Sequence, residues 1–94
     1  MNAPVFAASE LAQRFGLELR GDDRVVHGVG TLAGASPEQL GFLANSRYRA
    51  QLAETAAGVV VLRAEDAEAR AGTALIARDP YVAFANIAAL FAIP

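Results

Sequence analysis

The feature that most constrains the fold of this 94-residue chain is an unbroken apolar run, Gly58-Val59-Val60-Val61-Leu62. A strand with one face in water alternates apolar and polar residues, whereas a run without alternation is typical of a strand covered on both faces. Residues 73–77 form a second run of this kind, and the polar, alanine-rich residues 64–71 between them predict a short exposed helix. Buried strands separated by a helix indicate an α/β fold.

Capping residues predict two helices in the first half of the chain. Ser9 suits the N-cap of a helix that ends at Phe15, and Gly16 suits the position just past its end. Asn45 suits the N-cap of a second helix, which we expect to continue to about residue 53.

The last helix is predicted to begin at Asp79-Pro80, with Asp as the N-cap and Pro in the first turn. Its predicted apolar stripe consists of Tyr81, Phe84, Ala88 and Phe91. Residues 17–20, 25–29 and 40–43 are read as the remaining strands. The sequence therefore predicts one α/β domain, residues 1–94, with a small mixed sheet of about five strands and flanking helices.

Composition excludes several classes of function. The chain has no cysteine and one histidine. This composition predicts no disulfide, no Cys nucleophile and no metal site. Its net charge of −2 provides no basic surface for nucleic acid. The longest uncharged stretch near the end, residues 80–94, is shorter than the ~20 residues of a spanning helix, so we expect a cytoplasmic protein without a transmembrane segment.

Three local features are read as structural rather than catalytic. His27 lies in a predicted strand with no partner that would orient it as a base. Gly28-Val29-Gly30 lacks the third glycine and the following helix of a dinucleotide loop. Glu65, Asp66 and Glu68 are interpreted as a solvated helix face. We therefore expect no catalytic residue and no cofactor in this chain.

The segment from Phe42 to Tyr48 predicts a binding site. It places an aromatic residue at a strand end, Asn45 at a helix start and a second aromatic residue one turn later. Two rings can stack on the faces of a flat base, and a carboxamide offers the donor and acceptor that the edge of uracil requires. The alternative is structural: both rings belong to the core and Asn45 only caps a helix.

At this segment the chain resembles the UDP-3-O-acylglucosamine N-acyltransferases of lipid A biosynthesis. The resemblance covers essentially the whole chain, and Phe42-x-x-Asn45-x-x-Tyr48 is its most specific motif. It implies a fold similar to the N-terminal domains of Mur ligases. It also implies that Phe42 and Tyr48 sandwich uracil while Asn45 reads its edge. Ser46 and Arg47 stand where the family often has Pro and Lys.

The resemblance implies an enzyme longer than this chain. In the family, a 3-hydroxyacyl chain passes from acyl carrier protein to UDP-3-O-acylglucosamine in a trimeric β-helix that carries the catalytic histidine. No hexapeptide repeat of such a β-helix occurs here, so we expect a monomeric, non-catalytic uridine-binding fragment of a homotrimeric parent. Two alternatives stay open: a docking module without a ligand, and the N-terminal domain of a Mur ligase.

Overall fold

The computed structural model describes residues 4–92 and contains a five-stranded mixed sheet. The strands are β1 (Phe6–Ala7), β2 (Glu18–Arg20), β3 (Val25–Val26), β4 (Gly28–Val29), β5 (Gln39–Phe42), β6 (Val59–Leu62) and β7 (Thr73–Ile76). The sheet has the order β2, β7, β6, β5, β4, with β2 antiparallel to β7 and the other neighbours parallel. A two-stranded ribbon pairs β1 with β3. The predicted small mixed sheet of about five strands with flanking helices is confirmed.

Two α-helices and two 3₁₀ helices flank the sheet. They are α1 (Ala8–Phe15), α2 (Pro80–Phe91), the 46–53 helix (Ser46–Ala53) and the 64–69 helix (Ala64–Ala69). Between residues 4 and 92, no helix has the length and apolar character needed to cross a membrane.

The apolar run of β6 is buried on both faces, as its sequence predicts. Val59 and Val61 pack with residues of α1 and α2 on one face. Val60 and Leu62 pack on the other face with the 3₁₀ helices. All four side chains are inaccessible to solvent. Because β6 is covered on both sides, every second residue cannot be polar, and the alternation is lost.

The predicted strand over residues 25–29 is divided between two sheets. Val25 and Val26 pair with β1, a strand that the sequence pattern did not indicate. After the exposed His27, residues 28 and 29 pair with β5 in the main sheet. The prediction of one continuous strand is wrong because its first half pairs with β1, a strand about twenty residues earlier in the chain.

The helix-start predictions differ in outcome. Asp79 caps α2 as predicted, and its Oδ1 accepts a hydrogen bond from the Val82 N–H at 3.2 Å. Gly16 ends α1 in the left-handed conformation, also as predicted. Ser9 is not the cap of α1, which begins at Ala8; instead, the Ser9 hydroxyl donates to Asp23 at 2.6 Å. The serine was misassigned because its partner is distant in sequence.

The stripe predicted for α2 is only partly correct. The buried positions are Pro80, Ala83 and Ile87, with Phe84 and Phe91 packed beside them. Tyr81 is 65% exposed and does not belong to the core.

The contact between α1 and Asp23 predicts a pH dependence of stability. The Ser9 hydroxyl, followed by the Ser9 backbone N–H, lowers the pKa of Asp23 below its ordinary value. A carboxylate with a lowered folded-state pKa contributes stability above its unfolded pKa of ~3.9, and loses it as the pH falls through the folded value. At pH 7, Asp23→Asn should therefore melt at a lower temperature than the unsubstituted chain. This difference in melting temperature should vanish in acid.

The control for this prediction is Ser9→Ala, which keeps the carboxylate and removes its hydroxyl donor. It should return the pKa of Asp23 toward the ordinary value in an NMR titration of the side-chain carboxyl. An unchanged Asp23 titration in this variant would contradict the assigned cause.

Candidate functional site

A cleft of about 370 Å³ lies where β5 ends and the 46–53 helix begins. This is the carboxyl edge of the parallel strands, where α/β sheets commonly bind ligands. Phe42, Asn45 and Tyr48, the three residues singled out in the sequence, all line it. The remaining lining residues are Leu32, Leu43, Ala44 and Gln51.

Phe42 is the last residue of β5, and packing from α2 fixes its ring. Phe84 stacks on it with ring centroids 4.2 Å apart and an interplanar angle of 27°. Tyr81 meets it edge-on at 6.1 Å. Phe42 itself lines the cleft, whereas Phe84 and Tyr81 are not among its lining residues. Contacts with α2 therefore fix the ring of a residue that lines the cleft.

Asn45 is the N-cap of the 46–53 helix, as predicted. Its Oδ1 accepts a hydrogen bond from the Arg47 N–H at 3.0 Å, which fixes the carboxamide. Among residues 4–92, Nδ2 donates to no protein acceptor. An amide oxygen has two lone pairs, so the group retains both a donor and an acceptor for a ligand.

Tyr48, the second aromatic residue of the motif, has a different environment from Phe42. Its side chain is 48% exposed, and its backbone leaves helical geometry (φ −100°, ψ 18°), which kinks the helix. The Arg47 guanidinium carbon lies 6.0 Å from its ring centroid. Of the two aromatic residues that line the cleft, Phe42 is therefore packed against α2 and Tyr48 is half-exposed.

Asp66 is the residue of this region that the sequence interpretation missed. The sequence pattern groups it with Glu65 and Glu68 on a solvated helix face, but in the structure it is 0% exposed. It accepts hydrogen bonds from the Ser46 hydroxyl at 2.8 Å and from Arg49 Nε at 2.7 Å. A buried carboxylate needs such partners. Both come from a segment distant in sequence, so the local pattern carries no signal for its burial.

A larger cleft of about 700 Å³ lies beside β2 and the ends of β6 and β7. Arg63, Arg78, Glu18 and Glu65 line it with balanced charge, and no aromatic ring contributes to it. Within residues 4–92, no three His, Asp or Glu side chains are grouped to hold a metal ion.

Taken together, residues 4–92 form a mixed α/β structure with a cleft, lined by two aromatic residues and an amide, at the carboxyl edge of its parallel strands. The sequence profile of one family, UDP-3-O-(3-hydroxymyristoyl) glucosamine N-acyltransferase, LpxD, matches residues 23–90. The chain belongs to this family, and the resemblance inferred from its motifs is confirmed at that level.

Curated relatives support the same assignment. A protein of Xylella fastidiosa (strain M12) is 62% identical over 89 residues, covering 94% of this chain and 26% of the relative. One of Xanthomonas campestris pv. campestris (strain 8004) is 65% identical over 85 residues, covering 89% and 25%. Both are named UDP-3-O-acylglucosamine N-acyltransferase. The chain thus spans about a quarter of the length of these relatives.

Proposed function

We propose that this chain binds the uridine end of UDP-3-O-acylglucosamine for an N-acyltransferase of lipid A biosynthesis. The observation that carries the proposal is the convergence of Phe42, Asn45 and Tyr48 on one cleft. The uracil ring lies between the two aromatic side chains, and the Asn45 carboxamide reads its alternating carbonyl and N–H edge.

The chemistry takes place outside this chain in the proposal. His27 is exposed and is not among the residues that line the cleft. The acyl chain comes from acyl carrier protein, and the catalytic histidine belongs to the β-helical part of a cytoplasmic, trimeric parent. The domain holds the head group of the acceptor, which positions the sugar without lowering the barrier of acyl transfer itself. By itself it is a monomer without acyltransferase activity.

One observation favours the structural alternative for Phe42. Its stacking on Phe84 is a core contact, which a docking module without a ligand would also have. That alternative gives no role to the half-exposed Tyr48 or to the unused Asn45 donor. Family membership favours the acyltransferase over the Mur ligase alternative.

The experiment that tests the function is an NMR titration with UMP, with AMP as the control nucleotide. Each stacking contact contributes ~1–3 kcal/mol, and ~4 kcal/mol in total corresponds to a Kd of about 1 mM. We expect saturable amide shifts at residues 42–48 with UMP, and at least tenfold weaker binding of AMP, because its two-ring purine is larger than the single pyrimidine ring that the proposal places between the aromatic side chains. Equal binding of both nucleotides, or shifts confined to the Arg63 and Arg78 cleft, would contradict the proposal.

A further inference from the structure

Two side chains that follow β6 hold the segment that carries Asn45 and Tyr48. The Arg63 guanidinium donates a hydrogen bond to the carbonyl of Ala44, immediately before Asn45. Asp66 receives hydrogen bonds from Ser46 and Arg49, which lie on either side of Tyr48 in the chain. The site segment is therefore attached at both ends to one connection of the sheet.

The 46–53 helix has little packing of its own. Only Leu52 is buried in it, and that residue lies one turn beyond Tyr48. A 3₁₀ helix has poorer hydrogen-bond geometry than an α-helix, and this one is kinked at Tyr48. Its first turn thus depends on side-chain contacts outside the helix for its position.

Asp66 supplies those contacts in a form that favours one arrangement. Its two carboxylate oxygens each accept one hydrogen bond, Oδ2 from the hydroxyl of Ser46 and Oδ1 from Arg49. Burying a carboxylate is unfavourable unless such bonds form. If the first turn moved away from Asp66, this buried carboxylate would lose its hydrogen bonds to Ser46 and Arg49. Such arrangements are therefore higher in free energy than the one observed.

We propose that Asp66 is a positioning residue for the uridine site. This inference rests on the proposed function. Asp66 does not contact the base; it keeps Asn45 and Tyr48 in the arrangement that accepts it. When a binding-competent arrangement is populated only a fraction of the time, the apparent Kd rises by the inverse of that fraction. Removing the Asp66 charge should therefore weaken uridine binding without removing any group that touches the base.

The test is Asp66→Asn, which keeps the side-chain shape but retains only one acceptor oxygen. If the competent arrangement falls to about a tenth of the population, the Kd for UMP rises about tenfold. Exchange of the Arg47 amide hydrogen, which is bonded to Asn45 Oδ1, should also become faster. Amide shifts of β6 and β7 residues should stay close to those of the parent, since the sheet is not altered.

A matched control separates positioning from a general loss of stability. Thr73→Val removes another buried side-chain hydrogen bond, from Thr73 Oγ1 to the Asp22 carbonyl at 2.6 Å, at the start of β7. It should lower the melting temperature but leave the Kd for UMP within about twofold. An equal loss of UMP affinity in Thr73→Val would overturn the positioning role, as would a parent-like Kd and Arg47 exchange rate in Asp66→Asn.

Two further variants keep the inference testable if Asp66→Asn does not fold. Ser46→Ala and Arg49→Met each remove one hydrogen-bond partner of the Asp66 carboxylate. Each variant should raise the Kd for UMP severalfold. Arg49→Lys, which retains a cationic donor, should restore part of the loss. Parent-like binding in both Ser46→Ala and Arg49→Met would overturn the inference.

The failures of the two proposals are distinguishable. If the unsubstituted chain binds no UMP, the uridine function fails and the positioning role for uridine fails with it; Arg47 amide exchange then shows only whether Asp66 holds the 46–53 helix in place. If the parent binds UMP and Phe42→Ala does not, the function stands, whatever the result for Asp66.

Discussion

Replacing Tyr48 with alanine is expected to abolish most uridine binding while leaving the fold nearly as stable as before. The side chain is half exposed and belongs to neither apolar core, so truncation removes little packing. It removes one of two stacking partners, which is worth ~1–3 kcal/mol, or roughly a 5- to 150-fold rise in Kd. The measurement is a UMP titration beside a urea denaturation curve of the same sample.

Phe42→Ala should differ from Tyr48→Ala in stability and resemble it in binding. Its ring packs against the core and stacks on Phe84. Deleting a fully buried Phe costs ~3–5 kcal/mol, and this half-buried ring should cost about 2 kcal/mol. The same denaturation curves therefore separate a residue that only binds from one that also supports the fold.

Tyr48→Phe is the matched control, since it keeps the stacking surface and removes only the hydroxyl. It should bind UMP within about threefold of the parent. Parent-like affinity in Tyr48→Ala would contradict the sandwich and favour the structural interpretation of both rings.

The predictable parts of this molecule are those whose cause is local in sequence. The five-residue apolar run of β6 is enough to predict that this strand is buried on both faces. The pair Asp79-Pro80 contains its own helix-start chemistry, with the cap and the fixed backbone angle side by side. The candidate site belongs to the same class, because Phe42, Asn45 and Tyr48 lie within one strand end and one helical turn.

The parts that could not be predicted depend on distant partners. Ser9 has the chemistry of a cap, whose hydroxyl oxygen accepts a backbone N–H. In the folded chain the hydroxyl instead donates to the Asp23 carboxylate. Val25 and Val26 look continuous with the next strand until β1 is known to pair with them. Asp66 looks solvated until Ser46 and Arg49 reach it. In each case, the hydrogen-bond or strand-pairing partner lies far away in the sequence. The local pattern of apolar and polar residues therefore gives no sign of it.

Gly58 is expected to be the position at which the smallest substitution causes the largest loss of stability. A Cβ on Gly58 would clash with the carbonyl oxygen of Pro37. That atom is backbone, and Gly58 is tied to the same segment by its N–H bond to the Gln39 carbonyl at 3.0 Å. Arg70 holds the other side, donating to the carbonyls of Ala57 and Gly58. The clash cannot be relieved by turning a flexible side chain.

Gly58→Ala should lower the free energy of unfolding by about 3 kcal/mol, at the upper end of the usual cost of overpacking. For a domain of this size, that corresponds to a drop of about 15 °C in Tm. The loss arises where β5 and β6 begin, since the turn around Pro37 must move away from the start of the central strand. Thermal unfolding followed by circular dichroism measures it.

Gly16→Ala is the informative control. A rule based on backbone conformation alone predicts that alanine is more destabilising at Gly16, which has a positive φ, than at Gly58. Gly16 has a positive φ of 67°, which disfavours any other residue, but a Cβ there meets nothing within 4 Å. Its cost is confined to the left-handed backbone, about 1–2 kcal/mol. If backbone conformation dominates, Gly16→Ala melts at the lower temperature, and the argument from close approach is wrong. If contact with the Pro37 carbonyl dominates, Gly58→Ala melts lower, although its backbone angle suits alanine.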